Sequence, residues 1–216
     1  ESTKENIPKE KFKNFEKRLT SILNSSAGAE SWSDLLPFSK EINQLLEKKK
    51  NEFNYSFLSN KHILAKRLAQ CLNPECPAGV HEVIIDIYST IFENILVQNE
   101  YKLGDSLGIY SSGIFPFFTY ASIQNKIRFL EKIIISCFLK LDINELSICL
   151  PGLISSLIPG LDDNNEKTTQ LIYQVFDQIR NKTAPGVFYG EYWALLLRNK
   201  PLRPSGVKYI YEKIIK

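Results

Sequence analysis

At 216 residues, with hydrophobic residues at 44%, aromatics at 12% and charged residues at 24%, the chain has the make-up of one domain or one compact run of repeats. Its formal net charge of +3 is too small to point to nucleic acid or an anionic membrane by itself. The apolar run Ile133–Leu139, broken only by Ser136, falls far below the roughly 20 residues of a membrane span, and the start carries no signal-peptide pattern.

The chain begins at Glu1 and has no methionine, which reads as a fragment of a longer protein. Residues 1–7 are polar and expected to be loose and flexible. Pro8 suits the first turn of a helix with Phe12, Phe15, Leu19, Ile22 and Leu23 inward and lysines opposite. Residues 25–30 end it. Ser31 is the expected N-cap of a second helix on Leu35, Leu36, Phe38, Ile42, Leu45 and Leu46. Pro37 should kink that helix or mark a later start. Lys48, Lys49 and Lys50 close it, where positive charge complements the carboxyl-end dipole.

After an aromatic-rich connector comes the stretch around which the chain is organised. In Lys61–Leu72 the residues Ile63, Leu64, Leu68, Cys71 and Leu72 recur at steps of three and four, one face of a helix. Asn73 and Pro74 stop it, and Pro77, with Gly79 behind it, opens the next helix. From Val80 to Leu96 an almost unbroken 3.6-residue stripe (Val80, Val83, Ile84, Ile87, Tyr88, Ile91, Phe92, Ile95, Leu96) is wide enough to need helices on more than one side.

Lys102–Tyr110 reads as a short glycine-punctuated segment, with Ser111 or Ser112 capping a helix on Phe115, Phe117, Phe118 and Tyr120; Gly113 and Pro116 are structural corners. Gln124–Leu139 is amphipathic. Residues 144–150 and 151–158 read as two short apolar helices, with Pro151, Gly152, Pro159 and Gly160 as corners. Helices then follow at about 166–182, 186–199 around Trp193, and 205–215. No stretch alternates with period two for long enough to predict a strand. The expected fold class is all-α, an α-solenoid of HEAT or armadillo type with roughly ten antiparallel helices, although no strict repeat period is visible.

Catalytic and metal patterns fail on inspection. Gly108 to Gly113 has the outer spacing of a phosphate loop, but Ile114 and Phe115 stand where lysine and a hydroxyl are needed; a serine cap with a glycine allowing close helix approach is the better reading. Ser111 does not complete a nucleophile elbow, since Ile109 stands two residues before it. His81 and Glu82 are followed by Val83, Ile84 and Ile85, so the zinc-protease pattern breaks. His81 is read as bonding a backbone carbonyl at the proline corner. Asp162, Asp163 and Glu166 lack a calcium loop's ligand ladder and are better explained by capping. Cys71, Cys76, Cys137 and Cys149 show no CxxC spacing and read as free, mostly buried thiols in a reducing compartment, with zinc a remote alternative. No cofactor and no metal site are expected.

The basic residues are read first as solvated helix faces: five on the first helix, Lys48–Lys50, Lys66 with Arg67, and Arg198, Lys200, Arg203 and Lys208. Where they converge they could dock an acidic peptide or anionic headgroups. Lys66 and Arg67 are the favoured pair. Gln70, His81, Tyr110, Ser111 and Ser112 complete the candidate surface, and Tyr110 and Tyr192 are expected as exposed aromatics.

Residues 66–72 (KRLAQCL) with Pro77, Gly79, Val80 and His81 resemble the amino-terminal domain of the Dopey family of membrane-trafficking scaffolds. Three further stretches agree in order: Tyr110–Pro116, Leu150–Leu153 running on to Leu161, and Phe188–Ile210 with Trp193 and Gly206. The resemblance covers most of the chain and implies a single Dopey-like amino-terminal helical domain over residues 1–216. It implies a cytoplasmic scaffold peripheral to Golgi and endosomal membranes, with a Mon-type scaffold related to Arf exchange factors, kinesin light chain or a flippase complex as partner. The leading expectation is a non-catalytic protein-interaction module. The alternative is a peripheral phosphoinositide-binding module with a basic helical face. An enzyme ranks third, and no nucleic-acid partner is expected.

Overall fold

Apolar residues at three- and four-residue spacing give helices, and the computed structural model, which describes residues 2–25, 32–99 and 102–215, contains ten α-helices and no strand among those residues. They are α1 Ser2–Ser25, α2 Trp32–Lys49, α3 Lys61–Cys71, α4 Ala78–Gln98, α5 Gly104–Phe117, α6 Ile123–Phe129, α7 Ile143–Leu157, α8 Glu166–Thr183, α9 Pro185–Arg198 and α10 Arg203–Ile210. α6 continues as a π-helical stretch over Leu130–Ile135, where the Ser136 N–H donates five residues back to the Glu131 carbonyl at 3.2 Å.

The helices stack by alternation. α2, α4, α6 and α8 pack in succession as one layer, and α3, α5, α7 and α9 pack in succession as the other. α1 lies against α2 and α3, and α10 closes the far end against α9. Helix i touching helix i+2 is the pattern of an all-α helical repeat. α4 runs through the middle: Ile84, Ile85, Ile87, Tyr88, Ile91 and Phe92 are buried, whereas Val83 in the same stripe is only half-buried. His81 behaves as expected at the proline corner, its Nε2 2.9 Å from the Asn73 carbonyl.

Several boundaries differ from expectation. α1 starts at Ser2 rather than at Pro8, so residues 2–7 are helical; a proline there removes one N–H without ending the helix. The expected Ser31 cap lies outside the described residues. α2 starts at Trp32, directly after the position expected to cap it, and runs through Pro37, so Pro37 does not mark a later start. Residues 143–157 form one helix, not two, and Pro151 and Gly152 sit inside it rather than at a corner. Pro151 is exposed, so the carbonyl its missing N–H leaves free lies on the solvent side.

The stretch Ile143–Asp162 is as long and apolar as a membrane span by composition, yet half of it is buried inside the layers, as in any core helix. The turn after it, Ile158–Asp162, does form the corner expected at Pro159 and Gly160. The acidic residues there cap less than expected. Asn165 caps α8 by accepting from the Thr168 N–H at 3.0 Å, while the Asp163 carboxylate pairs with Lys126 at 2.8 Å. Ala184 turns the chain from α8 into α9 at φ 72°, the left-handed region that usually takes glycine.

Candidate interaction surface

The two layers present chemically different outer faces. Across the α2–α4–α6–α8–α10 side, each neighbouring pair is tied by polar side chains. The Thr90 hydroxyl of α4 donates to Glu47 of α2. Arg128 of α6 meets Asp86 at 2.5 Å and Glu82 at 3.1 Å, both on α4, and Lys132 meets Asp86 at 2.7 Å. Lys167 reaches Glu131 at 3.3 Å, and Lys213 beyond α10 reaches Asp177 of α8 at 2.7 Å. Burial pushes the Asp86 carboxyl up, but its hydrogen bonds with Arg128 and Lys132 win, holding it below the usual carboxylate range.

Among the described residues no ion pair joins α3, α5, α7 and α9 to one another. Close approach at glycines joins α3, α5 and α7 instead. A Cβ on Gly113 of α5 would stand 2.9 Å from the Ala69 Cα of α3 and 2.7 Å from the Tyr88 hydroxyl. One on Gly152 of α7 would stand 2.7 Å from the Phe115 ring of α5. Glu145 of α7 caps α5 from outside, its Oε2 accepting from the Leu103 N–H at 3.0 Å and the Gly104 N–H at 2.5 Å. The outward side of this layer is poor in charge and shows bare apolar groups: Ile148 is 69% exposed and Leu197 71%, with Val187 and Trp193 also outward.

At the α3 end of that face a cleft of about 550 Å³ opens between α3 and α5. α3 contributes His62, Ala65, Lys66, Ala69 and Gln70, and α5 contributes Gly108, Ile109 and Ser112. The small residues Ala65, Ala69 and Gly108 leave the space. His62, Lys66 and Gln70, four residues apart in turn, form one row along the α3 rim. A smaller groove of about 340 Å³ continues over the other side of that row, past Ile63 and Arg67. The Arg67 guanidinium donates to Gln70 Oε1 at 2.9 Å, which leaves the Gln70 amide N–H groups to face out.

The structure therefore brings Lys66, Gln70 and Ser112 together, with Arg67 beside them. It removes three other candidates. Tyr110 is buried, edge-on to Tyr88 and Phe92 with centroids 6.0 and 5.9 Å away. Tyr192 is buried and donates to the Gly206 carbonyl at 3.1 Å. His81 is buried in its corner, where burial pulls its pKa down despite the carbonyl bond. Ser111 is half-buried and not part of the cleft lining, and neither it nor Ser112 caps a helix, because α5 already began at Gly104. His62 and Ile109 were missed; the four-residue spacing of His62, Lys66 and Gln70 was the available signal. Cys71, Cys137 and Cys149 are free and buried, and burial pushes their thiols up to about 11, 12 and 12.

The family model described as Dopey, N-terminal, matches residues 9–216. The chain belongs to the Dopey family. This Dopey domain is 28% identical over 213 residues to Protein DOP1B of Xenopus laevis, covering 95% of the chain and 9% of that relative. It is 28% identical over 206 residues to Protein pad-1 of Caenorhabditis elegans, covering 95% and 8%. To Protein DOP1 of Saccharomyces cerevisiae it is 25% identical over 206 residues, covering 94% and 12%. The chain thus spans about a tenth of the length of these curated relatives. No solved structure matches it. The four stretches that carry the Dopey resemblance fall mainly on α3, α5, α7 and α9, the helices of the charge-poor layer, the last running on into α10.

Proposed function

We propose that this Dopey domain is a non-catalytic protein-interaction scaffold module in vesicle-mediated traffic at Golgi and endosomal membranes. Its working surface is the outer face of the α3–α5–α7–α9 layer. One observation carries the choice of face: its neighbour, though Val97 and Ile123 are exposed there, is laced from helix to helix by ion pairs, whereas this one exposes Ile148, Leu197, Val187 and Trp193 on the adjacent α7 and α9 and has the basic cleft at its α3 end. Apolar side chains on adjacent helices, rimmed by polar groups, suit a protein partner. The trafficking setting, and a Mon-type scaffold, kinesin light chain or flippase complex as partner, are what kinship with Dopey proteins suggests.

Affinity capture from matched cell lysate, read by mass spectrometry, tests this reading. A trafficking scaffold should be recovered by the wild-type domain and lost from two separate variants, Ile148→Ser with Leu197→Ser, and Lys66→Glu with Arg67→Glu. All four side chains lie outside the core, so both variants should melt like the wild type, within about 0.5 kcal/mol. Capture that ignores both variants removes this face from the proposal. The cations at the cleft favour a second reading, a peripheral phosphoinositide-binding module.

A further inference from the structure

The α3–α5 cleft carries more information than its exposure. The charged side chains lining it or the adjoining groove, Lys66 and Arg67, are both basic, His62 stands beside them, and among the described residues no carboxylate lines either. The donors are also spread out. His62, Lys66 and Gln70 follow one another along a row about 12 Å long, at 1.5 Å rise per residue. Beneath and beside that row lie Ala65, Ala69, Ile109 and Ile63, so apolar contact alternates with donors along the same line.

A phosphate headgroup is a compact anion that rewards donors converging on one point, above all the forked guanidinium of arginine. Here the one arginine is turned aside onto Gln70. A row of separated donors over an apolar floor matches a peptide that presents two carboxylates and an apolar side chain in sequence.

We propose that the α3–α5 cleft recognises an acidic, apolar-containing peptide segment of the partner, its carboxylates accepting hydrogen bonds from Lys66, His62 and the Gln70 amide while its apolar side chain enters between Ala65, Ala69 and Ile109. This rests on the interaction-module reading and specifies the chemistry of its partner. Ser112 stands on the opposite wall, where its hydroxyl can donate to the same segment.

A library of random dodecapeptides displayed on phage, panned against the whole domain, tests it. The expected result is enrichment of Asp or Glu next to apolar residues. The tightest synthetic peptide should lose about tenfold in affinity when its acids become amides, and about as much against Lys66→Gln. Ser112→Trp, which fills the cleft from an exposed position, should abolish binding without moving the melt. Peptides selected without acids, or binding unchanged in both variants, would overturn the assignment while leaving the lysate capture, and so the module reading, standing. Sedimentation with phosphatidylcholine vesicles containing phosphatidylinositol phosphate, dependent on Lys66 and without any peptide selected, would overturn it in favour of a headgroup. Selection of nothing, with no sedimentation, would overturn it as well.

Discussion

The two layers of this domain solve the same packing problem with different chemistry. α2, α4, α6, α8 and α10 are laced by side-chain polar links, including Glu82, Asp86, Arg128 and Lys132, whose charged ends lie toward water. α3, α5 and α7 are drawn together by missing side chains at Gly113 and Gly152. A layer whose outer charges already pair offers little to a partner. A layer held by backbone proximity leaves its outer side chains unengaged and free for recognition.

Substitutions can separate these two kinds of seam. The largest effect should come from Gly113→Leu, because the added side chain meets the Ala69 backbone and the buried Tyr88 rather than a flexible tip. A loss of about 3 kcal/mol or more is expected, read as a lower denaturation midpoint. A melt like the wild type would show that α3 and α5 are not held by that contact. On the other seam, Arg128→Ala should cost about 1 kcal/mol, because the pair is partly exposed and Lys132 still neutralises Asp86. Its cost should shrink in high salt, whereas that of Gly113→Leu should not.

The smallest effect is in pH. The Asp86 carboxyl is held below its unfolded value of about 3.9, so its stabilisation is complete above that pH and disappears as pH falls through the folded value. Asp86→Asn should therefore flatten the acid limb of the stability curve below about pH 4 and leave its shape from pH 5 to 8 unchanged. An unaltered acid limb would assign that loss to other carboxylates, of which Asp163, depressed beside Lys126, is the first to try.

Helical spacing made most of this fold legible. α3, α4, α8 and α9 fall within a residue or two of the expected 61–72, 80–96, 166–182 and 186–199. The stretch before Phe115 misled in part: Gly104 and Gly108 were read as breaks and Ser111 or Ser112 as a cap, though all lie inside α5, whereas Gly113 does admit the neighbouring helix, as a glycine there was expected to. Pro151 misled in a related way: on an exposed turn the lost hydrogen bond is replaced by water and the helix continues. Tyr110 and Tyr192 could not be placed from local pattern, since an aromatic beside glycines looks the same whether it faces solvent or a second layer. For the candidate site, Lys66 and Arg67 were visible as an amphipathic helix's polar edge. The cleft was not, because its other wall, Gly108 to Ser112, belongs to a helix whose start is set from elsewhere.

That start has a consequence for the order in which the protein is made. The amides of Leu103 and Gly104 find their acceptor on Glu145, and 41 residues separate Gly104 from it. At roughly 5 to 20 residues per second, a ribosome needs about two to eight seconds to supply that carboxylate. Through that interval the first turn of α5, which leads into the cleft wall at Gly108, is an uncapped helix end on a nascent chain. The surface assigned here to recognition is thus completed from its C-terminal side, by a helix that forms none of the cleft's lining.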